Sequence, residues 1–137
     1  MPSGHRQIEH TADLALELWA DSEEELLVAG ARAVTEILTG EAPIADRAGR
    51  DIAIESIDAA DRLVQWLNEI IVAAVSEGFL FRTAAIELRG ETGLSGRARG
   101  EPDGRDRIVA ELKSATYHDL ALEAGPAGWR ARVIIDV

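Results

Sequence analysis

Residues 58–78, DAADRLVQWLNEIIVAAVSEG, are the stretch of sequence that defines the fold most clearly. Large apolar side chains recur here at spacings of three and four, which predicts an amphipathic helix buried on one side against a sheet. Asp58 suits the N-cap of this helix, and Gly78 suits its end. The predicted buried stripe consists of Leu63, Trp66, Leu67, Ile70, Ile71, Ala74 and Val75.

A second amphipathic helix is predicted closer to the N-terminus. Ser22 can cap it, and Glu25, three residues later, completes a capping box. Gly40 is placed where a helix-ending glycine is expected. The apolar stripe of this helix consists of Leu26, Leu27, Val34, Ile37 and Leu38.

The segment before that helix, residues 5–20, alternates with period two from Leu14 onward. Such alternation predicts a strand with one buried side. Leu14, Leu16 and Leu18 share one face, and Ala15, Glu17 and Trp19 share the other. Residues 50–57 alternate in the same way, with Ile52, Ile54 and Ile57 on or near the core side.

After residue 78 the sequence has the features of β-structure. The predicted elements are a strand over 80–89, turns over 90–106 around a short strand near 94–100, a long run over 107–123 able to pair on both sides, a hairpin loop over 124–128, and a last strand over 129–137. Two helices between early strands, followed by a meander, predict an α+β fold. We expect one domain, residues 1–137, in which a mixed or antiparallel β-sheet carries two amphipathic helices.

Composition narrows the classes of function. The formal net charge is −11, which disfavours direct binding to nucleic-acid phosphates and favours a basic protein partner or a cation. The sequence has no cysteine, so disulfides, thiolate metal sites and cysteine nucleophiles are excluded. No apolar run approaches the roughly 20 residues of a membrane helix, and the N-terminus lacks the apolar region of a signal peptide. We therefore expect no membrane association and a cytoplasmic location.

Carboxylate coordination is the chemistry that the motifs favour. The sequence has no glycine-flanked serine elbow and no Walker-type phosphate loop. The last predicted strand is apolar through Ile134 and Ile135. It is followed by Asp136 and then by Val137 with its carboxylate. If the first and last strands are neighbours, Asp13 joins these groups as an oxygen ligand for a hard cation. The alternatives are that Asp13 is a turn or cap residue and that Asp136 is a solvated strand end.

The stretch Lys113-Ser114-Ala115-Thr116-Tyr117-His118 is a second candidate. In a strand, the odd-numbered residues of this stretch share one face, and Ser114, Thr116 and His118 share the other. The simpler interpretation is a strand rich in residues that favour strands, with a histidine satisfied by a neighbour. His10 and His118 are candidates to face Asp13, as ligands or as donors to ligands.

Taken in order, several motifs resemble the archease family over nearly the whole chain. They are His10-Thr11-Ala12-Asp13, Asp21-Ser22 with the acidic helix start, Leu63-Val64-Gln65-Trp66-Leu67-Asn68-Glu69, Gly100-Glu101, the stretch from Lys113 to His118, and Ile134-Ile135-Asp136-Val137. The departure at Ser114, where alanine is common in the family, is mild.

The resemblance implies a non-enzymatic cofactor of the GTP-dependent RNA-splicing ligase of tRNA splicing and RNA repair, which promotes guanylylation of the ligase and its multiple turnover. It implies a divalent metal ion, calcium in the first place, with magnesium or manganese as alternatives. The implied ligands are Asp13, Asp136 and the Val137 carboxylate, and Lys113 matches a lysine implicated in activation. His10, Glu101, Thr116 and His118 are motif members without an assigned role.

Two other functions remain open from the residues. One is a stand-alone metal-dependent hydrolase that uses the same carboxylates, although the sequence offers no obvious nucleophile or base beyond His10 and His118. The other is a chaperone-like modulator of RNA-modifying enzymes, whose activity would not depend on Asp136.

Overall fold

The computed structural model of the protein describes residues 2–9 and 13–137, with the backbone alone for residues 8 and 9. Its regular elements within these residues are, in chain order, β1 Gly4–Glu9, β2 Asp13–Ala20, α1 Glu23–Thr39, β3 Ala48–Glu55, α2 Ala59–Glu77, β4 Leu80–Arg89, β5 Gly93–Glu101, a 3-10 turn Arg105–Arg107, β6 Ser114–Ala115, β7 Ala121–Gly125 and β8 Gly128–Asp136. This content confirms the predicted α+β class. Neither α1 nor α2 combines the length and apolarity of a membrane-crossing helix.

The strands form two sheets, and all of their pairings are antiparallel. The larger sheet has the order β1-β2-β8-β6, with β7 also paired to β8, and the smaller has the order β3-β5-β4. The two helices pack on each other, and each contacts strands of both sheets. The single sheet of the sequence prediction is therefore two sheets, which cover the helices from more than one direction.

Both helices begin and end where their sequences predict. The Ser22 hydroxyl accepts a hydrogen bond from the Glu25 amide at 3.1 Å, and the Asp58 carboxylate accepts one from the Asp61 amide at 2.8 Å. Gly40 and Gly78 follow the helices in the left-handed conformation that favours glycine.

Two predicted core residues are exposed instead. Val75, assigned to the buried stripe of α2, is 48% exposed, and Ile57, placed on or near the core side, is 85% exposed. Ile57 follows the end of β3, where the alternation of faces stops applying. Val75 lies beyond the edge of the α2 surface that the two sheets cover, whereas Ile71 and Ala74 are buried.

The long run over 107–123 is interrupted rather than continuous. Its strand residues are only β6 and β7, and both pair with the same edge of β8. Seven residue steps lead from Ser114 to Ala121, whereas four separate their partners Asp136 and Arg132. The surplus residues leave the sheet in a turn at which Asp119 has a φ of 50°. A bulged excursion of this kind has no signature in the alternation of apolar residues.

Two further strands differ from the sequence prediction. In place of one strand over residues 5–20, the described residues form β1 and β2, which pair with each other in register from Gly4 opposite Trp19. The strand expected near 94–100 extends from Gly93 to Glu101 and lies at the centre of the smaller sheet. Gly100 is required there, because a Cβ atom at this position would lie 2.0 Å from the Leu80 carbonyl oxygen.

A buried arginine joins α2 to α1 and to the β4–β5 turn. The Arg62 side chain is 2% exposed and pairs with Glu23, at 2.7 Å from Nη2 to Oε2. Its Nη1 atom also donates to the carbonyl oxygens of Gly90 and Gly93, each at 3.0 Å. Burial of an arginine is tolerated only when its donors are satisfied in this way.

Replacement of Arg62 by alanine should destabilise the protein strongly, because it leaves the Glu23 carboxylate without its cation and two carbonyl groups without donors. The expected loss in the free energy of unfolding is about 3–5 kcal/mol, measured by urea denaturation. Arg97→Ala is the control, since Arg97 pairs with Asp51 on the surface and both side chains are more than half exposed. A loss for Arg62→Ala no larger than that for Arg97→Ala would contradict the structural role of Arg62.

Candidate functional site

Two aspartates lie directly opposite each other where β2 begins and β8 ends. Asp13 and Asp136 are register partners, and Ser114 of β6 is the partner of Asp136 on its other side. Directly opposed residues of an antiparallel pair project to the same face of a sheet. Because the adjacent Leu14 and Ile135 face the core, this aspartate row, consisting of Asp13, Asp136 and Ser114, lies on the sheet face away from the helices.

The charge of the aspartate row is not balanced by the described residues. Neither Asp13 nor Asp136 forms an ion pair with another described residue. Like charges directly opposite each other on a sheet are destabilising. The described residues contain no group of three or more His, Cys, Asp or Glu side chains able to hold a metal ion. The predicted ligand set contains two such side chains and relies on the Val137 carboxylate for a third donor group.

Val137 continues β8 with the opposite facing from Asp136. Its side chain is 42% exposed and lines a cavity of about 650 Å³ on the helix side of the sheet. Leu14 and Leu112 line the same cavity, as do His5 and Glu36, whose Nε2 and Oε2 atoms are 2.8 Å apart. The end of β8 therefore borders this cavity on one face and carries the paired carboxylates on the other.

Lys113 reaches the same strand end from the other side. Its amide donates to the Asp136 carbonyl oxygen at 2.8 Å, which begins the β6–β8 pairing. Its side chain lines a groove beside α2, together with Val72 and Val75. Lys113 is also the single lysine of the sequence. The structure thus brings Lys113 and the two aspartates together along the backbone but directs their side chains to different faces.

Asn68, a member of the α2 motif for which no role was predicted, holds β6 in place. Its Oδ1 atom accepts from the Ala115 amide at 2.7 Å, and its Nδ2 atom donates to the Ala115 carbonyl oxygen at 3.2 Å. An asparagine amide used in this way substitutes for a neighbouring strand. The signal in the sequence was a polar residue directly beside the buried stripe of α2, next to Leu67. Asn68 therefore fixes the position of Ser114 and Lys113 relative to Asp136.

Tyr117 connects the same segment to the first turn of α2. Its hydroxyl donates to Asp61 Oδ1 at 2.5 Å, and Asp61 also accepts from the Ile57 amide and the Gln65 side chain. The hydrogen bond from Tyr117 is the main cause that lowers the pKa of Asp61, and the carboxylate raises the pKa of Tyr117 in return. Ala115 and Tyr117 both lie against α2, which agrees with the shared face that the sequence predicts for Lys113, Ala115 and Tyr117.

The other members of the Lys113–His118 stretch have local partners. The Thr116 hydroxyl and amide both donate to the Ile134 carbonyl oxygen, at 3.0 and 2.9 Å, and so extend the pairing with β8. The His118 imidazole is 73% exposed and lies 3.3 Å from the Asp119 carboxylate in the turn. The structure therefore pairs His118 with Asp119 and not with Asp13. His10 lies outside the described residues.

The Glu101 carboxylate is hydrogen-bonded to other residues of the protein. Its carboxylate accepts from Arg107 Nη1 at 2.5 Å and from the Ala45 amide at 3.1 Å. The hydrogen bond from Arg107 is the main cause that holds the pKa of Glu101 below its usual value, and the Ala45 amide adds to it. Arg107 also donates to the Pro43 carbonyl oxygen. Glu101 thereby fastens the loop before β3 and the 3-10 turn to the end of β5.

Comparison with known proteins places these features in one family. Residues 5–137 match the model of the archease protein family. The chain is similar to protein archease of Methanopyrus kandleri, with 36% identity over 96% of this chain and 97% of that protein, and to protein archease of Pyrococcus abyssi, with 31% identity over 94% and 95%.

Two solved structures are also similar. One is from Thermotoga maritima and is described as an archease and possible chaperone; it has 26% identity, a TM-score of 0.59 and 96% coverage of both chains. The other is protein 1598 of Methanobacterium thermoautotrophicum, which shares the fold at 24% identity, with a TM-score of 0.76 and coverage of 98% of this chain and 99% of that one.

Replacement of Asn68 by leucine should release β6 from α2, because the buried Ala115 amide and carbonyl groups lose both partners on the helix. The expected cost is about 1–3 kcal/mol of stability, with faster hydrogen exchange at the Ala115 amide. Asn68→Asp is the matched variant, since it keeps the acceptor for that amide and loses the donor to the carbonyl; its exchange should be intermediate. Unchanged exchange at Ala115 in Asn68→Leu would show that the segment is held by β8 alone.

Proposed function

This chain belongs to the archease family, and on that premise we propose that it activates the GTP-dependent RNA-splicing ligase by promoting guanylylation and multiple turnover. The observation that carries the proposal is the register pairing of Asp13 with Asp136, two carboxylates on one face with no cationic side chain of the described residues paired to them. A purely structural pair of this kind lowers stability. A role in binding a cation or a basic surface would explain why the two carboxylates are opposed despite this cost in stability.

The overall charge supports a protein partner with a basic active site. The chain has 25 acidic and 14 basic residues. A ligase that holds RNA ends and GTP needs a positively charged entrance, and opposite fields favour encounter and correct orientation. The acid excess also argues against direct RNA binding by this protein. We propose that the protein works in the cytoplasm, on a ligase engaged in tRNA splicing, RNA repair or both.

The aspartate row suits a hard divalent cation by the chemistry of its donors. Asp13 and Asp136 would hold the ion through carboxylate oxygens, with the Val137 carboxylate as a further donor, and calcium fits such a set because it accepts irregular oxygen coordination. Magnesium and manganese use the same donor type. When bound, the cation would supply positive charge at the strand end, where anionic groups of the nucleotide-transfer site could be oriented. The proposed role of Asp13 and Asp136 is to position the cation.

Lys113 is proposed to contribute the cationic group on the other face of the strand end. Its ammonium group forms no ion pair with a described residue, and its backbone is fixed to Asp136 by a 2.8 Å hydrogen bond. A lysine with a free ammonium group can bind an anionic group of the partner without breaking an internal contact.

A chaperone-like activity is the second candidate. It is favoured by the description of the Thermotoga maritima structure as a possible chaperone and by exposed apolar side chains such as that of Val109, which is 74% exposed. Such an activity would rest on apolar contacts and would not require the aspartate row.

The ligase proposal is tested by GTP labelling of the ligase with and without this protein. Asp13→Asn and Asp136→Asn should each abolish the stimulation, because each replaces a carboxylate of the aspartate row by a neutral amide of nearly the same size. Asp51→Asn is the control, since Asp51 lies on β3 of the other sheet and its side chain is 82% exposed. Stimulation that survives in both row variants would reject the role of the row and favour the chaperone-like activity.

The metal proposal is tested by thermal unfolding in chelator and in added calcium, magnesium or manganese. A ligand at about 100 times its dissociation constant stabilises the folded state by about 2.7 kcal/mol, so the wild-type melting temperature should rise by several degrees. Asp136→Asn should lose this rise and, in chelator, melt no lower than wild type because a repulsion is removed. Equal shifts in wild type and Asp136→Asn would place any bound metal elsewhere.

A further inference from the structure

A groove with an apolar floor runs beside the C-terminal half of α2. Its volume is about 590 Å³, within the range of roughly 300–1,000 Å³ typical of binding pockets. The floor is formed by Ile71, Ile108 and Leu112, and one wall by Val72 and Val75 of α2. We call this feature the α2 groove.

Two valine side chains of α2 are exposed in the groove, although α2 contacts strands of both sheets. Val72 and Val75 are 50% and 48% exposed, whereas Ile71 and Leu112 beneath them are 2% and 3% exposed. The apolar surface of α2 is thus wider than the part that the described residues cover. Grouped apolar side chains on a small protein are a recognised mark of a contact surface.

The groove is also lined by residues of the segment 108–113, which belongs to neither sheet and bends at Ala110. The Val109 amide donates to the Leu38 carbonyl oxygen and the Lys113 amide to that of Asp136, which fixes both ends of the segment. The segment is therefore held in place at both ends.

The charge at the α2 groove is opposite to that of the whole protein. Arg105 and Lys113 line it with a single acid, Glu111, although the chain as a whole has a net charge of −11. Arg105 donates to the Ser76 carbonyl oxygen at the end of α2 and forms no ion pair with a described carboxylate. Neither cation forms an ion pair with a described carboxylate, and both border an apolar surface.

We propose that the α2 groove is a docking surface for a partner-protein segment that presents apolar side chains beside carboxylates. The apolar side chains would cover Val72 and Val75, and the carboxylates would meet Lys113 and Arg105. Two cations in a strongly acidic chain are too few to attract a phosphate backbone or an anionic lipid surface, which leaves an acidic, apolar protein segment as the fitting occupant.

The inference rests on the proposed function in one respect, namely that the partner is the activated ligase. The α2 groove and the aspartate row meet at the end of β8, where the Lys113 amide binds the Asp136 carbonyl oxygen. A segment seated in the groove would therefore set the position of the aspartate row on the same partner. Docking and stimulation are separable through Val72 and Val75 on one side and Asp13 and Asp136 on the other, whereas Lys113 serves both.

The test is the affinity of purified ligase for this protein, measured by biolayer interferometry over a range of salt concentrations. The double variant Val72→Gln/Val75→Gln keeps helix-forming residues and removes the apolar wall; its affinity should fall by about tenfold or more, with the salt dependence unchanged. Lys113→Gln should weaken binding and also reduce the salt dependence, because an ionic contact is lost. Ile57→Gln is the matched control at the other end of α2 and should bind within about twofold of wild type.

Circular dichroism and thermal melts of each variant establish that the fold is retained, which is expected because Val72, Val75 and Ile57 are 50%, 48% and 85% exposed. Groove variants that bind like wild type, while wild type stimulates the ligase, would overturn the docking surface and leave the proposed function intact. If wild type neither binds nor stimulates the ligase, the proposed function fails and the groove inference falls with it. Dimerisation of wild type that Val72→Gln/Val75→Gln abolishes in sedimentation would also overturn it, by assigning the groove to a second copy.

Discussion

The pairing of β2 with β8 is the constraint on which the rest of the structure depends. It joins residues 13–20 to residues 129–136 in eight consecutive register pairs, across more than 100 residues of intervening chain. The hydrophobic alternation of both strands fixes this register, because a shift of one residue would send Asp13 and Asp136 into the core and expose Leu14 and Ile135. Every other strand of the larger sheet is added to this pair: β1 extends it beyond β2, and β6 and β7 extend it beyond β8. The loop-closure entropy lost in joining distant segments is offset by burial on the helix face, where Leu16, Leu18 and Val133 are almost completely inaccessible.

The same register that protects the core imposes an electrostatic cost at its edge. A hydrophobic pattern that buries Leu14 opposite Ile135 necessarily places the preceding and following residues, Asp13 and Asp136, opposite each other on the other face. Replacement of either by a neutral residue would remove the repulsion without altering the core. An arrangement that costs stability and is easily avoided is characteristic of a functional site. The fold thus produces the aspartate row as a direct consequence of strand pairing, and the proposed use of that row needs no conformational change to assemble it.

The parts of the fold that follow from local chemistry were predictable from the sequence, and the parts set by distant contacts were not. Ser22, Asp58, Gly40 and Gly78 act within one helical turn, so their roles could be assigned from neighbouring residues alone. The division of the strands into two sheets, and the bulged excursion between β6 and β7, depend on which strand edges are free after folding, and alternation carries no such information. Arg62 was missed because a charged residue on a helix is ordinarily exposed, and only Glu23 and two distant carbonyl groups make its burial possible.

For the candidate site, the types of residue and their motifs were visible in the sequence. The opposition of Asp13 and Asp136 was conditional there on the first and last strands being neighbours.

The two faces of the β8 end differ in chemistry, and that difference limits how a partner can approach. Carboxylates project from one face, while the other carries the Lys113 side chain and the apolar wall of α2. These faces are separated by the thickness of a single strand, and the Lys113 amide, the Thr116 amide and the Asn68 side chain fix β6 against both β8 and α2.

A partner that contacted only one face would gain either charge complementarity or apolar burial, whereas a partner that enclosed the strand end would gain both. Because the strand end is held by hydrogen bonds on both sides, apolar contact of the proposed partner on the helix side would orient the carboxylates without further ordering cost. In the proposed activation, apolar burial would supply affinity, and the carboxylates would remain free to act on the active site of the partner.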